Sequence, residues 1–416
     1  MKIQNFSTTN DAIAFIKEWL ESDASLSELL TESITKAKNF ADGRLNEKLF
    51  NLLSWPTTIP GWISFITEFS RWIPHQSGHE GWQDPETGYA QEVYDRLCHF
   101  YFLLDQKVGA DENIIVQNID GFNDWLVAYA NLWGDFLNTP ESFNDTIWES
   151  FKQYAPYYRI EDSLVNGKPN SPSGWLTFNQ FFARELNPGL RPIDFPSDSA
   201  VVTAPADCTF RKMYQIDENS NILSSDSNIT QTVLKKTHII GNIEKLLDDS
   251  PHADKFANGT FVHYFLGPYS YHRFHSPVAG MVDECRAVNG LTYLEVNIND
   301  NNQFDAPDNS DSPGEPGEGY QFNQARGILT IDTTSSSEGD MGIVAVVPVG
   351  MCQVSGVHMS ATQGRNIAKG EEFGYFLFGG SDIILLFQEG KAPKIDDCNK
   401  YRYYGTSISG CPDSPK

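Results

Sequence analysis

The sequence predicts an α+β protein, with an all-helical region over residues 1–155 and a mostly β domain over residues 156–416. Three observations carry this. Apolar residues recur at helical spacing through the first region. A stretch rich in Pro, Ser, Asn and Gly at residues 166–174 then breaks the pattern. Beyond residue 200, short runs of Val, Ile, Phe and Tyr alternate with Gly, Pro and Asp turns, the texture of many short strands. A chain of 416 residues with 40% hydrophobic content has enough apolar material for two domains of ordinary size.

In chain order, Asn10 or Asp11 is placed to cap a helix whose inner face carries Ile13, Ile16 and Leu20, with Phe15 and Trp19 beside them. Leu26, Leu29, Leu30 and Ile34 repeat the spacing, and Gly43 follows. Asp84-Pro85-Glu86 reads as the start of another helix, with Tyr89, Val93, Leu97, Phe100 and Leu104 on its apolar face. Phe122, Leu126, Tyr129 and Trp133 mark one more, and Thr139-Pro140-Glu141-Ser142 a fresh helix start. No long internal repeat is visible. The strands expected are 200–204, 260–266, 280–288, 328–332, 342–349, 373–378 and 383–387. Between them, residues 297–320 carry Asp300, Asp305, Asp308, Asp311, Glu315 and Glu318 without Lys or Arg. This acidic segment reads as a solvated, mobile loop. A cation site or a lid is the weaker reading, since the spacing does not fit a calcium loop.

The formal net charge of −25 and a pI near 4.6 argue against a broad nucleic-acid or anionic-membrane surface. Asp11 and Glu18 interrupt the N-terminal stretch, so no signal peptide is expected, and no run approaches the length of a membrane span. Cysteines 98, 208, 285, 352, 398 and 411 are scattered, without a Cys-x-x-Cys pair. That suits reduced thiols in the cytoplasm better than disulfides or a zinc site.

Three segments hold candidate chemistry. Phe378-Gly379-Gly380-Ser381-Asp382 precedes the apolar run 383–387, and by itself reads as a tight hairpin turn. Tyr271-His272-Arg273-Phe274-His275-Ser276-Pro277-Val278-Ala279-Gly280 gathers two histidines and an arginine before a turn. Thr203-Ala204-Pro205-Ala206-Asp207 puts a carboxylate at a strand end, ordinarily a backbone cap. Together, Asp207, His275 and Ser381 are the residue types of an orienter, base and nucleophile. Asp382 and Ile383 follow the serine, so the Gly-x-Ser-x-Gly elbow of an α/β-hydrolase is absent. His75-x-x-x-His79-Glu80 has metal-like spacing, but Pro74 and Gly78 disfavour a helix presenting both rings, and no metal is expected. Lys235-Lys236 reads as a solvated strand start. Arg184 and Arg191 suit a substrate carboxylate or, equally, surface acids.

The ordered set resembles the phosphatidylserine decarboxylase family. The matching pieces are Arg191-Pro192-Ile193, Pro205-Ala206-Asp207, Tyr271 through Gly280, Asn323 to Arg326, Val349-Gly350, Lys369-Gly370-Glu371-Glu372-Phe373-Gly374-Tyr375-Phe376, and Gly380-Ser381. They span roughly Phe178 to Phe387, about half the chain. The resemblance implies a self-processing decarboxylase domain cleaved between Gly380 and Ser381. Ser381 is then the nucleophile, and becomes a covalent pyruvoyl group. It further implies His275 as the processing base, Asp207 as its orienter, and His272 as the proton-handling residue in decarboxylation. Cleavage gives a β fragment, 1–380, and an α fragment, 381–416. The ketone forms a Schiff base with the substrate amine and acts as an electron sink, as pyridoxal phosphate does. No lysine context points to pyridoxal phosphate itself.

Two positions depart from the family pattern. Cys208 stands where glycine usually follows the Asp, and Asp382 where Thr or Ser usually follows the cleavage serine. A carboxylate beside the nucleophile is expected to disfavour an anionic intermediate. Members bound to membranes carry an N-terminal anchor. This chain is similar instead to the soluble branch, which includes tryptophan decarboxylases and also has an added N-terminal region and a Phe-Gly-Gly-Ser segment. The expected substrate is therefore a free L-amino acid, aromatic in the leading reading. Phosphatidylserine is the alternative, and an unprocessed binding protein or a serine hydrolase the alternatives of other classes. A homo-oligomer stays open.

Overall fold

The computed structural model describes residues 6–170, 174–223, 232–234, 238–292, 294–305, 324–351, 356–396 and 400–409. Helices dominate the first 155 of these positions: Thr9–Ser22, Ala24–Ala41, Glu47–Leu52, Ile59–Phe69, Glu92–Phe102, Phe122–Leu137 and Asp145–Tyr154. Local chemistry sets their ends. Thr8, not Asn10 or Asp11, caps the first helix by accepting from Asp11 N. Asp23 does the same for the second and Asn144 for the helix at 145. The helix expected from Asp84 begins only at Glu92. Asp84 accepts from the backbone N–H groups of Glu86 and Thr87, and Gly88 adopts a φ of 72°. The chain therefore turns there, and Tyr89 stays exposed. A small hairpin, Lys107–Val108 with Ile114–Ile115, also interrupts the helices. No helix among the described residues is long and apolar enough to cross a membrane.

The second half is built on an antiparallel sheet of nine strands. Its central order is Gly280–Val288, Arg326–Asp332, Ile343–Met351, Gly380–Phe387, Thr260–Leu266 and Cys208–Ile216. The inner strands are almost wholly apolar, as a sheet covered on both faces requires. A second, three-stranded sheet joins Arg273–His275, Glu372–Phe376 and Val357–Met359. The buried apolar side chains form one continuous cluster running from Ile13 to Ile408, so the helices pack directly on the sheet domain. At the acidic segment, Phe304 packs against Phe102, with ring centroids 5.4 Å apart, and Asn46 N donates to Asn302 O. Residues 306–323 and Lys235-Lys236 lie outside the described residues, as do cysteines 352, 398 and 411. Among the described residues, Cys98, Cys208 and Cys285 form no disulfide.

Candidate active site

Ser381 is not in a hairpin turn. Gly380 and Ser381 already belong to the Gly380–Phe387 strand, which is flanked on both sides. Ser381 lies opposite Leu266 on one neighbour and Gly350 on the other. The ladder overrides the flexibility of Gly379-Gly380, because every residue after 380 gains partners on two strands. Only residues 377–379 link this strand to Glu372–Phe376 in the smaller sheet. That link is held from outside. Phe378 N donates to Asn179 Oδ1 at 3.0 Å. The Phe378 ring meets Trp133, Phe178 and Phe182 edge-on. The helical region thus buttresses the cleavage segment through Trp133.

Ser381 is fully buried, and its Oγ lies 3.3 Å from Nδ1 of His272. His272 Nε2 is 3.3 Å from the Pro268 carbonyl. A hydrogen on Nε2 donates to that carbonyl and leaves a lone pair on Nδ1 facing the serine hydroxyl. The ring stacks on Phe182, with centroids 3.9 Å apart. Burial, with the nearby Arg184 charge, pushes the His272 pKa down to about 3, so the imidazole is neutral at neutral pH.

The other two expected members sit elsewhere. His275 Nδ1 donates to the Gly370 carbonyl at 2.9 Å, and Nε2 faces Tyr271 Oη at 3.1 Å. Its ring lies flat on Tyr404, with centroids 3.6 Å apart. Burial pushes its pKa down to about 4. Asp207 is held by Arg191, whose Nε is 3.1 Å from both carboxylate oxygens and whose Nη2 is 2.5 Å from Oδ2. It also accepts from Tyr404 N at 2.9 Å. Burial pushes the Asp207 carboxyl above the usual range, and Arg191 opposes that. The expected Asp207–His275–Ser381 relay is therefore not joined by contacts in this uncleaved arrangement. Both ring nitrogens of His275 are taken, and the ring against Ser381 is His272.

Asp382 corrects a second expectation. Consecutive strand residues face opposite sides of a sheet, so its carboxylate points away from Ser381. It is fully buried, and Oδ1 lies 3.0 Å from His263 Nε2 on the neighbouring strand. The contact is an ion pair when the imidazole is protonated. The acid beside Ser381 has its partner on the far face. Cys208 is buried in the register position opposite Arg402.

The remaining motif pieces have structural reasons. Arg191 serves Asp207, while a Cβ at Gly370 (φ 80°) would come within 2.4 Å of Ile193. Lys369 Nζ donates to the carbonyls of Phe195 and Val201, each at 2.7 Å, and to that of Asp198. Arg273 pairs with Glu372 at 2.7 Å. His75 and His79 have local partners instead of a shared ligand: His75 Nδ1 meets Ile73 O, and His79 Nδ1 accepts from Gly81 N. Glu80 pairs with Lys48. Sequence reasoning missed Asn179, Phe182, His263 and Tyr404. Lone residues of common types give no pattern to read, and each matters only through a partner distant in sequence.

Between the helical region and the sheet lies a cavity of about 570 Å³. Eight tyrosines line it, including Tyr94, Tyr157, Tyr269 and Tyr403, together with Arg184, Arg191, Arg211 and Asp207. Gly267 and Pro268 form part of its wall. They directly follow Leu266, the register partner of Ser381. Ser381 and His272 are not among the lining residues, and Pro268, which is, accepts from His272 Nε2 through its carbonyl.

The sequence profile described as phosphatidylserine decarboxylase matches residues 178–406, over half of the chain. The chain is 27% identical to phosphatidylserine decarboxylase proenzyme 2 of Oryza sativa, over 79% of this chain and 48% of that protein. It is 25% identical to decarboxylase iboD of Amanita muscaria, over 69% and 82% respectively. It is 29% identical to a phosphatidylserine decarboxylase proenzyme of Chlamydia trachomatis, over 57% and 67%. The chain therefore spans only about half the length of the rice relative, and 22% of a further relative, phosphatidylserine decarboxylase proenzyme 3 of Schizosaccharomyces pombe.

Proposed function

The chain belongs to the phosphatidylserine decarboxylase family, and on that basis we propose that it is a self-cleaving, pyruvoyl-dependent decarboxylase of a free L-amino acid with an aromatic side chain. The observation that carries the substrate class is the tyrosine-rich cavity between helices and sheet. It is sized for a small molecule and walled on one side by the N-terminal region. Phosphatidylserine is the second reading, favoured by the names of the rice and Chlamydia relatives.

Self-cleavage follows from the chain's own atoms. Ser381 Oγ attacks the Gly380 carbonyl, and the proton passes to a neutral imidazole. His272 Nδ1 is the acceptor in reach at 3.3 Å. The Oγ–carbonyl bond forms as the peptide C–N bond breaks. β-Elimination then breaks the Cβ–O bond as a base takes the Cα proton, releasing the Gly380 carboxylate; the enamine left at 381 tautomerises to an imine, and water adds to its carbon and displaces ammonia, leaving a ketone. The residues fit that group: the site is buried, an imidazole faces it, and no acid shares its side of the sheet at position 382. When present, a pyruvoyl ketone at position 381 would supply a carbonyl for the substrate amine and an electron sink for the Cα–carboxylate bond. His272 then returns a proton to the carbon that lost carbon dioxide. Asp207 and His275, each fixed by several contacts, order the segment that carries Tyr404 and Gly370; the family pattern gives them the processing role.

The test is carbon dioxide release by the processed protein from a panel of free amino acids and from phosphatidylserine micelles, with intact mass read alongside. Release from free aromatic amino acids supports the proposal. Release from the lipid alone transfers it to the second reading. A chain that stays uncleaved at 46.7 kDa and releases nothing is a binding protein.

A further inference from the structure

The charges in the cavity wall do not balance. Four arginines and three aspartates line it, in a chain whose net charge is −25. Two of the arginines are accounted for. Arg191 holds Asp207, and Arg159 Nε meets Asp162 at 2.9 Å. Asp84 is engaged by the backbone N–H groups of its own turn. Arg184 and Arg211 remain. Arg184 is 3% exposed. One of its nitrogens donates to the Tyr158 carbonyl at 2.8 Å, and its buried Nε has no partner among the described residues. Arg211 lies over the Phe265 ring at 4.8 Å, and its buried Nε is likewise without a partner there. An unmatched buried guanidinium donor is costly, so two in one cavity call for an acceptor from outside the chain.

The carboxylate that leaves is a poor candidate for that acceptor. Decarboxylation disperses the negative charge of the carboxylate, so a cation fixed on it would stabilise the ground state more than the transition state. Binding energy is better used on a part of the substrate that does not react. We propose that Arg184 and Arg211 receive a second anionic group of the substrate, a carboxylate or a phosphoryl oxygen, distinct from the carboxylate that is lost. This rests on the cavity being the substrate site, and adds to the proposed aromatic amino acid an acidic substituent. The same chemistry fits the phosphodiester of a serine phospholipid, and the assay separates the two.

Two readouts test it. Binding of succinate and of inorganic phosphate is measured by calorimetry on uncleaved Ser381→Ala protein, where the cavity is already formed. Saturable binding that weakens at least tenfold in Arg211→Gln is expected. Arg184→Lys, which keeps the charge and loses the fork, serves beside Arg184→Gln in case the neutral variant does not fold. Turnover is then compared in matched pairs on the processed protein: L-4-carboxyphenylalanine against L-phenylalanine, and L-glutamate against L-glutamine. A preference for the acidic member of at least tenfold in kcat/KM, erased by Arg211→Gln while self-cleavage by intact mass is unchanged, supports the proposal. Turnover confined to phosphatidylserine vesicles and sensitive to Arg211→Gln assigns the anion to the lipid. Equal or better turnover of neutral members, or anion binding indifferent to both arginines, overturns it. A protein that binds the anions yet never cleaves loses the decarboxylase reading and keeps the anion site.

Discussion

Replacing His263 with leucine removes the imidazole whose Nε2 lies 3.0 Å from Asp382 Oδ1, an ion pair when the ring is protonated. The carboxylate is fully buried, and its register partners are Phe265 and Val349, so no solvent reaches it to compensate. Breaking a buried ion pair from one side costs about 3–5 kcal/mol. That is a large part of the roughly 5–15 kcal/mol that keeps a domain folded. Removing both partners restores an apolar strand face. The double variant His263→Leu/Asp382→Thr is therefore expected to recover most of the loss. The measurement is urea unfolding in a Ser381→Ala background, which keeps every chain uncleaved. Far-UV circular dichroism is the right probe for the sheet, because all nine tryptophans lie at or before Trp175. A loss below about 1 kcal/mol in the single variant, or a double variant no better than the single, would refute the pairing of His263 with Asp382. Self-cleavage of the same variants with Ser381 restored then shows whether the pair also positions the scissile bond.

Other outcomes follow from the same geometry. Ser381→Ala stays a single 46.7 kDa chain, whereas the parent gives fragments 1–380 and 381–416 that co-elute without denaturant, both measured by intact mass. His272→Gln slows cleavage by about 10²–10⁴-fold in a timed gel assay; a larger loss in His275→Gln would return the base role to the residue the family pattern favours. Lys369→Met leaves the carbonyls of Phe195 and Val201 without their 2.7 Å donor and costs about 1–3 kcal/mol by thermal unfolding, with nicking by protease near residue 195. Stability falls in acid. His99 and His272 are held down to about 3 and His275 to about 4 by burial, so the unfolded chain takes up their protons first. Stability is intact above the usual 6.5 and declines as pH drops from there toward 3. His99→Phe removes one proton, about 1.4 kcal/mol per pH unit, from the slope of ΔG against pH.

The architecture was legible because period and composition change together near residue 166. Apolar faces such as Ile13, Ile16 and Leu20, and apolar runs such as 383–387, are properties of neighbouring residues. The site was legible only as a set of residue types. His272 meets Ser381, and His275 and Asp207 both border Tyr404, but which ring meets the serine depends on strand register, a one-residue choice that sequence spacing leaves free. Likewise the hairpin reading of Gly379-Gly380-Ser381 failed because turn propensity is local, while the ladder to residues 260–266 and 343–351 is not. The Asp84 helix start failed for the opposite reason. A local Asx turn won over a pattern that looked periodic.

The proposed cleavage between Gly380 and Ser381, at the head of a central strand, would have a mechanical consequence. After cleavage, residues 381–387 of the small fragment keep their register with strands on both sides. Tyr401–Arg402 adds a second attachment to Cys208–Ile216. The new terminus is therefore held at its N-terminal end by a sheet that belongs to the other fragment. What cleavage frees is Gly380 and the link before it, residues 377–379, which are anchored separately through Asn179 and Trp133. In the uncleaved chain Ser381 is fully buried, and Gly267 and Pro268, which follow its register partner Leu266, line the cavity. On that proposal, release of the 380 side leaves residue 381 held by its strand neighbours. The same bond would thus create the reactive group and free the backbone before it, while the helical region buttresses Phe378 and walls the cavity.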